Sequence, residues 1–141
     1  MEIFLNAENA IMGRIASYAA KQALLGKEVR ILNCEKAVIS GSKAVVFERY
    51  HHLIKETGQP RTGPYIPRVP EMFFKRMIRG MVPHKRGRGV DAFHRIMCYP
   101  GIPTKFKDQK IEKVEFADIS RLKTVKTISV LQLCRMLGGR A

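Results

Sequence analysis

The sequence predicts an α/β fold in a single domain, residues 1–141. Three observations predict it. A strand, a helix and a second strand follow one another before Cys34, the spacing of a parallel βαβ unit with a right-handed crossover. The length of 141 residues fits one domain and is enough to bury a core without staples. Apolar residues make up 45%, which is ordinary for a globular chain and excludes both disorder and a membrane-embedded protein.

Taken in order, Glu2–Asn6 reads as a short strand running into a turn. From Met12 the apolar set Met12, Ile15, Ala16, Ala19 and Ala23 recurs at helical spacing, with Arg14, Ser17 and Lys21 on another face. That stripe is mostly alanine, so the helix can lie close against a sheet. Gly26 is placed to end it in the left-handed conformation. Val29–Asn33 is the second strand, and Lys36–Ser40 is a third short strand or an extended lead-in. Ser40-Gly41-Ser42 offers N-cap residues for a helix whose inner face is Val46, Phe47, Tyr50, Leu53 and Ile54, and which Gly58 closes. Gln59–Pro70 holds four prolines and predicts an extended loop.

Pro70 and Glu71 suit the first turn of the next helix, with Phe74, Met77, Ile78 and Met81 facing inward and Lys75, Arg76 and Arg79 outward. The stretch "VPHKRGRG" breaks that helix. Val90, Phe93 and Met97 predict further helix, ended by "YPGIP". A basic loop leads to a last strand over Ile111–Phe116. Thr127 or Ser129 caps a final helix with Val130, Leu133, Cys134 and Leu137 on its buried side, and Gly138-Gly139 stops it.

Charge is the most informative bulk property. Lys and Arg number 26 against 12 acids, for a net charge of +14. The excess is concentrated: residues 1–60 carry a net +2, residues 61–113 a net +9 and residues 114–141 a net +3. A polyanion rewards that concentration, because each cation set on a phosphate releases a condensed counterion. Nucleic acid suits it better than a membrane surface, since the cations lie among Pro and Gly and not along one long amphipathic helix. No apolar run approaches a bilayer span, and "MEIFLNAEN" does not read as a secretory leader. Cys34, Cys98 and Cys134 are odd in number and widely spaced, which predicts reduced thiols in a cytosolic setting.

Enzyme chemistry finds little support in the motifs. Gly26-Lys27 is followed by Glu28 and lacks the leading Gly of a Walker A loop. Gly87–Ala92 matches a loose G-x-G-x-x-A dinucleotide pattern, yet "PHKR" precedes it where a strand is required. His94 and Cys98, four apart on a predicted helix, have ligand-compatible spacing but no second pair. Cys34 ends a predicted strand, where catalytic residues of open α/β sheets lie, but no histidine can be assigned to it, and a buried inert thiol is the commoner case. Glu112 and Glu115 are three apart in a predicted strand and so point to opposite faces.

The basic segment remains. Its cations run from Arg61 and Arg68 through Lys75, Arg76 and Arg79 to Lys85, Arg86 and Arg88, with no acid in Arg79–Gly89. Arg outnumbers Lys there, as bidentate phosphate contacts and stacking on bases favour. Gly80, Gly87 and Gly89 predict close backbone approach to phosphate, and flanking prolines stiffen the path. His84 and Lys105 extend the candidate set, and Arg14 and Lys21 add the first helix. No helix-turn-helix, zinc-finger, RRM or KH pattern is present, so the expected mode is shape and phosphate recognition of folded RNA.

Four stretches then resemble one family: "NAIMGRIASYAAKQALLGKEVRILNCEKAVISG" (Asn9–Gly41), "RGMVPHKRGRGVDAF" (Arg79–Phe93), "MCYPGIP" (Met97–Pro103) and "TISVLQLCRMLGG" (Thr127–Gly139). In order and over most of the chain, they are similar to the thirteenth universal protein family of the large ribosomal subunit, in its archaeal and eukaryotic form. Met12–Ser17 matches that family's Leu-Gly-Arg-Leu-Ala-Ser segment, and Cys98 stands where Val is common. The resemblance implies a compact three-layer α/β/α fold around a small, mainly parallel sheet, with the basic Pro/Gly-rich segment as its extension. It implies a structural constituent of the cytoplasmic large subunit that binds rRNA and supports assembly and translation. No catalysis, cofactor, metal, membrane or small-molecule substrate is expected, and the partners are rRNA and neighbouring ribosomal proteins, not a second copy of the chain. By position the resemblance puts Arg14 and Arg79 through Arg88 near rRNA. The alternative from charge alone is a free RNA-binding regulator of translation.

Overall fold

Three consecutive buried apolar residues, Ile3, Phe4 and Leu5, make β1 of Glu2–Asn6, as a parallel strand covered on both faces requires, and the alanine-rich stripe that follows makes the helix α1 of Met12–Leu24. Gly26, at φ +95°, turns the chain into β2, Glu28–Leu32. The computed structural model describes residues 1–139. In it β1 and β2 pair in parallel from Glu2 opposite Glu28 to Asn6 opposite Leu32, as the βαβ spacing requires. Ile15, Ala16, Ala19 and Ala23 of α1 are fully buried, and the absence of long side chains lets that helix lie close to the strands.

Asn33 takes a left-handed conformation at φ 57° and starts a 3₁₀ turn, Cys34–Lys36, ahead of β3, Val38–Ser40. Ser42 caps α2, Lys43–Lys55, its hydroxyl accepting from the Val45 N–H at 3.4 Å. After the proline-rich loop, Pro70 opens α3, Pro70–Arg79, at the position where its missing N–H costs nothing. A short loop leads to α4, Gly87–His94, and β4, Ile96–Cys98, follows directly. The chain closes with β5, Ile111–Lys113, then β6, Thr127–Ser129, and α5, Val130–Met136. Ser129 is the cap of α5, accepting from Gln132 N–H at 3.2 Å.

The main sheet runs β4-β2-β1-β5 with every pair parallel, and β3 with β6 forms a separate antiparallel pair. The fold is therefore α/β with a mainly parallel sheet. One face of the main sheet, with Ile3, Leu5, Val29, Ile31 and Ile96, joins the core beneath α1 and α3. On the other face the rings of Phe4 and Tyr99 pack against Phe106 from a 3₁₀ turn at Thr104–Phe106. The layer on that side is one turn thick. Beyond it Arg30 bridges Glu2 at 3.3 Å and Glu28 at 2.8 Å near solvent.

Four sequence expectations are corrected. The helix through Met97 stops at His94, because "IMC" pairs with Val29–Ile31 as an edge strand. His94 and Cys98 therefore lie on different elements. The strand over Ile111–Phe116 ends at Lys113, and a 3₁₀ turn, Glu115–Ala117, follows, so Glu112 and Glu115 share no strand. Met81, expected inward, is 42% exposed, whereas Phe73 is fully buried. Helix α3 packs between α1 and α5, so it buries both Phe73 and Phe74 across a wider arc than one stripe. Among the described residues no helix is long and apolar enough to cross a membrane.

Candidate nucleic-acid interface

The basic loop between α3 and α4 is pinned from within. Val82 is buried at 4% exposure and anchors it to the core. The Met81 N–H donates to the Ile78 carbonyl at 2.9 Å, and the Arg86 N–H donates to the Pro83 carbonyl at 2.9 Å. His84 Nδ1 lies 3.1 Å from the Arg79 carbonyl. A carbonyl only accepts, so Nδ1 is the donor in this bond. The loop thus presents Lys85 and Arg86, and the first turn of α4 presents Arg88, as exposed side chains on a fixed backbone.

Those cations are unspent. The ion pairs among the described residues engage Arg30, Lys36, His52 and Lys113, and none engages Lys21, Arg61, Arg76, Arg79, Lys85, Arg86 or Arg88. Lys21 of α1 and Arg88 of α4 line one groove, which joins the first helix to the basic loop. Lys75 and Arg76 line a second groove with Pro67, Met72 and Phe93. Lys75 Nζ lies 4.7 Å from the centre of the Phe93 ring and 3.6 Å from Met97 Sδ, and its partial burial holds its pKa below the ordinary lysine value.

The remaining candidates are placed differently. Arg14 donates from Nη1 to the Phe116 carbonyl at 3.1 Å, which ties α1 to the 3₁₀ turn at Glu115–Ala117. Arg68 is half-buried beside the end of α5, where a β-carbon on Gly138 would stand 3.6 Å from its Nη1. That position complements the negative end of the helix. Arg61 is exposed in the proline loop, and its carbonyl accepts from the Tyr65 hydroxyl. Lys105 projects from the turn that covers the second face of the sheet, away from α1. Gly80 caps α3, Gly87 opens α4 with no atom near the place of a side chain, and Gly89 is buried against Pro83.

Sequence reasoning passed over the apolar side chains among these cations. Leu25 is 64% exposed, Tyr65 65% and Met72 57%. The signal was present: large apolar residues next to Lys21, Arg61 and Arg76, where the helical pattern gave them no inner face. Arg95 was missed as well. Its Nη1 donates to the Ala23 carbonyl at 3.1 Å and locks α4 to the end of α1.

The enzyme candidates come apart on the same grounds. Gly87–Ala92 does open a helix, but the turn at Pro83–Arg86 precedes it, so no strand delivers a nucleotide to it. Cys34, Cys98 and Cys134 are free and buried. Cys34 Sγ donates to the Ile31 carbonyl at 3.4 Å. Its hydrogen bond with the Cys98 thiol, and then burial, push its pKa far above the ordinary thiol value. Burial pushes Cys134 up to about 12. Both folded values are raised, so neither group forms thiolate at pH 8. A chromogenic disulfide reagent at pH 8 is expected to label neither Cys34 nor Cys134 in the native protein, and both after denaturation. Rapid native labelling of Cys34 would restore it as a nucleophile.

The sequence model described as "Ribosomal protein L13" matches residues 1–105. The chain is 45% identical over 136 residues to the large ribosomal subunit protein uL13 of Methanococcoides burtonii, covering 96% of this chain and 97% of that one. It is 41% identical to the uL13 of Archaeoglobus fulgidus, over 96% of this chain and 87% of the relative. It is 38% identical to that of Methanococcus maripaludis, over 98% of each. With a match spanning both βαβ strands and the whole of the pinned basic loop, the chain belongs to the ribosomal protein L13 family.

Proposed function

We propose that this protein is a structural constituent of the large ribosomal subunit, that it binds large-subunit rRNA, and that it works in the cytoplasm without catalysis. One observation carries the reading: an internally bonded loop and the helix turn that follows it display Lys85, Arg86 and Arg88 with no carboxylate partner among the described residues. Ordering such cations in advance removes entropy that a flexible tail would lose on binding. The names of the relatives supply the particle, since each is a large ribosomal subunit protein. The contact set is Lys21, Arg61, Lys75, Arg76, Arg79, His84, Lys85, Arg86 and Arg88, with Gly80 and Gly87 for backbone approach. Arg14, Arg68 and Lys105 contribute at the periphery, Arg14 and Arg68 while also bracing the fold. Neighbouring ribosomal proteins complete the partners, and the chain acts as a single copy within the particle.

Sedimentation of a cell lysate tests this reading. The protein is expected to travel with large subunits at low salt and to stay with them at moderate salt. A slow, free position at low salt would reject the particle and bring forward a free RNA-binding regulator, which the same cations would serve.

A further inference from the structure

Between α1 and the loop after α3 runs a groove of about 320 Å³. Ala20, Leu24, Leu25 and Met81 form its apolar surface, Lys21 and Arg88 border it, and no carboxylate lines it. Leu25 is 64% exposed and Met81 42%, so the apolar surface is open to water within the basic part of the molecule.

We infer that this groove receives one unpaired base of the bound RNA, with Lys21 and Arg88 on its flanking phosphates. The assignment rests on the RNA-binding reading above and adds a subsite of apolar residues to it. Charge selects the occupant. Lys21 and Arg88 have no ion pair among the described residues, and an apolar protein segment would leave both unmatched. A nucleotide joins a flat apolar face to a phosphate in one unit, and so matches both parts of the groove at once. A paired base is stacked and hides its faces, whereas an unpaired one can leave the helix and lie against side chains. The polarizable thioether of Met81 and the branched ends of Leu24 and Leu25 suit the face of an aromatic ring.

Two double variants and one RNA test this. The probe is the organism's own large-subunit rRNA, transcribed in vitro, with binding measured across a salt series and base reactivity mapped with Watson–Crick-edge reagents. Leu25→Ala with Met81→Ala removes the apolar surface at two exposed positions, and its thermal midpoint is measured alongside. It is expected to bind about tenfold more weakly with an unchanged salt slope. One unpaired base protected by the wild type should become reactive again. Lys21→Ala with Arg88→Ala should instead lower the salt slope by about 1.4 to 1.8. Wild-type affinity and protection in the apolar variant would overturn the subsite while leaving the RNA-binding reading intact. So would weaker binding with no base changing reactivity. An apolar variant that holds rRNA normally yet fails to join the particle would give the groove to a protein neighbour. Wild-type protein with no salt-dependent affinity for this rRNA would remove the underlying reading as well.

Discussion

Changing Arg79, Lys85, Arg86 and Arg88 together to Glu abolishes incorporation into the large subunit and leaves a folded protein. The loss is large because each side chain is available for phosphate, with no ion pair to break first among the described residues. At the low end for charge-assisted hydrogen bonds, four contacts amount to about 6 kcal/mol, or roughly a 10⁴-fold loss of affinity. Reversal adds repulsion on top of the lost contacts. The fold survives because the loop is held by other groups. Val82 is its buried anchor, and the bonds to the Ile78, Arg79 and Pro83 carbonyls use backbone and His84. Helix ends nearly balance as well. Glu at position 79 lies unfavourably in the last turn of α3, whereas Glu at 86 and 88 lies favourably at the start of α4. Co-sedimentation reports incorporation, and near-UV circular dichroism reports the fold. A folded quadruple variant recovered in large subunits at the wild-type level would show that rRNA is held elsewhere.

Much of this was legible in the sequence, for local reasons. The first βαβ unit, both serine caps and the α5 face of Val130, Leu133, Cys134 and Leu137 depend on residues a few positions apart. What escaped depends on distant partners. "IMC" is too short for its period to separate strand from helix, and only pairing with β2 decides it. Strand β6 exists because Thr127–Ser129 meets Val38–Ser40, far back in the chain. The charge of the candidate interface could be read directly, since cations without nearby acids are visible as such. Which arginines also brace the fold could not be read. Arg14 meets a carbonyl 102 residues away, and Arg68 reaches the end of the final helix.

Gly89 and Gly87 look alike in the sequence and are expected to behave in opposite ways. A β-carbon on Gly89 would stand 1.9 Å from the Pro83 carbonyl oxygen and 2.9 Å from the His84 nitrogen. Both are backbone atoms, so neither can rotate away as a side chain would. Relief requires the whole turn at Pro83–Arg86 to lift, which strains the Arg86-to-Pro83 bond and draws Val82 from the core. Gly89→Ala is therefore expected to destabilise the protein by about 3 kcal/mol, lowering the thermal midpoint by roughly 10 °C. The displaced loop would also carry Lys85 and Arg86 out of place, so rRNA affinity falls with stability. At Gly87 nothing lies within 4 Å of the corresponding position, and Ala is the better helix former. Gly87→Ala should keep or slightly raise the midpoint, and a loss of rRNA affinity without loss of stability would identify it as the glycine that phosphate approaches. An unchanged midpoint for Gly89→Ala would show that the loop yields freely. The rigidity on which the whole interface depends would then be absent.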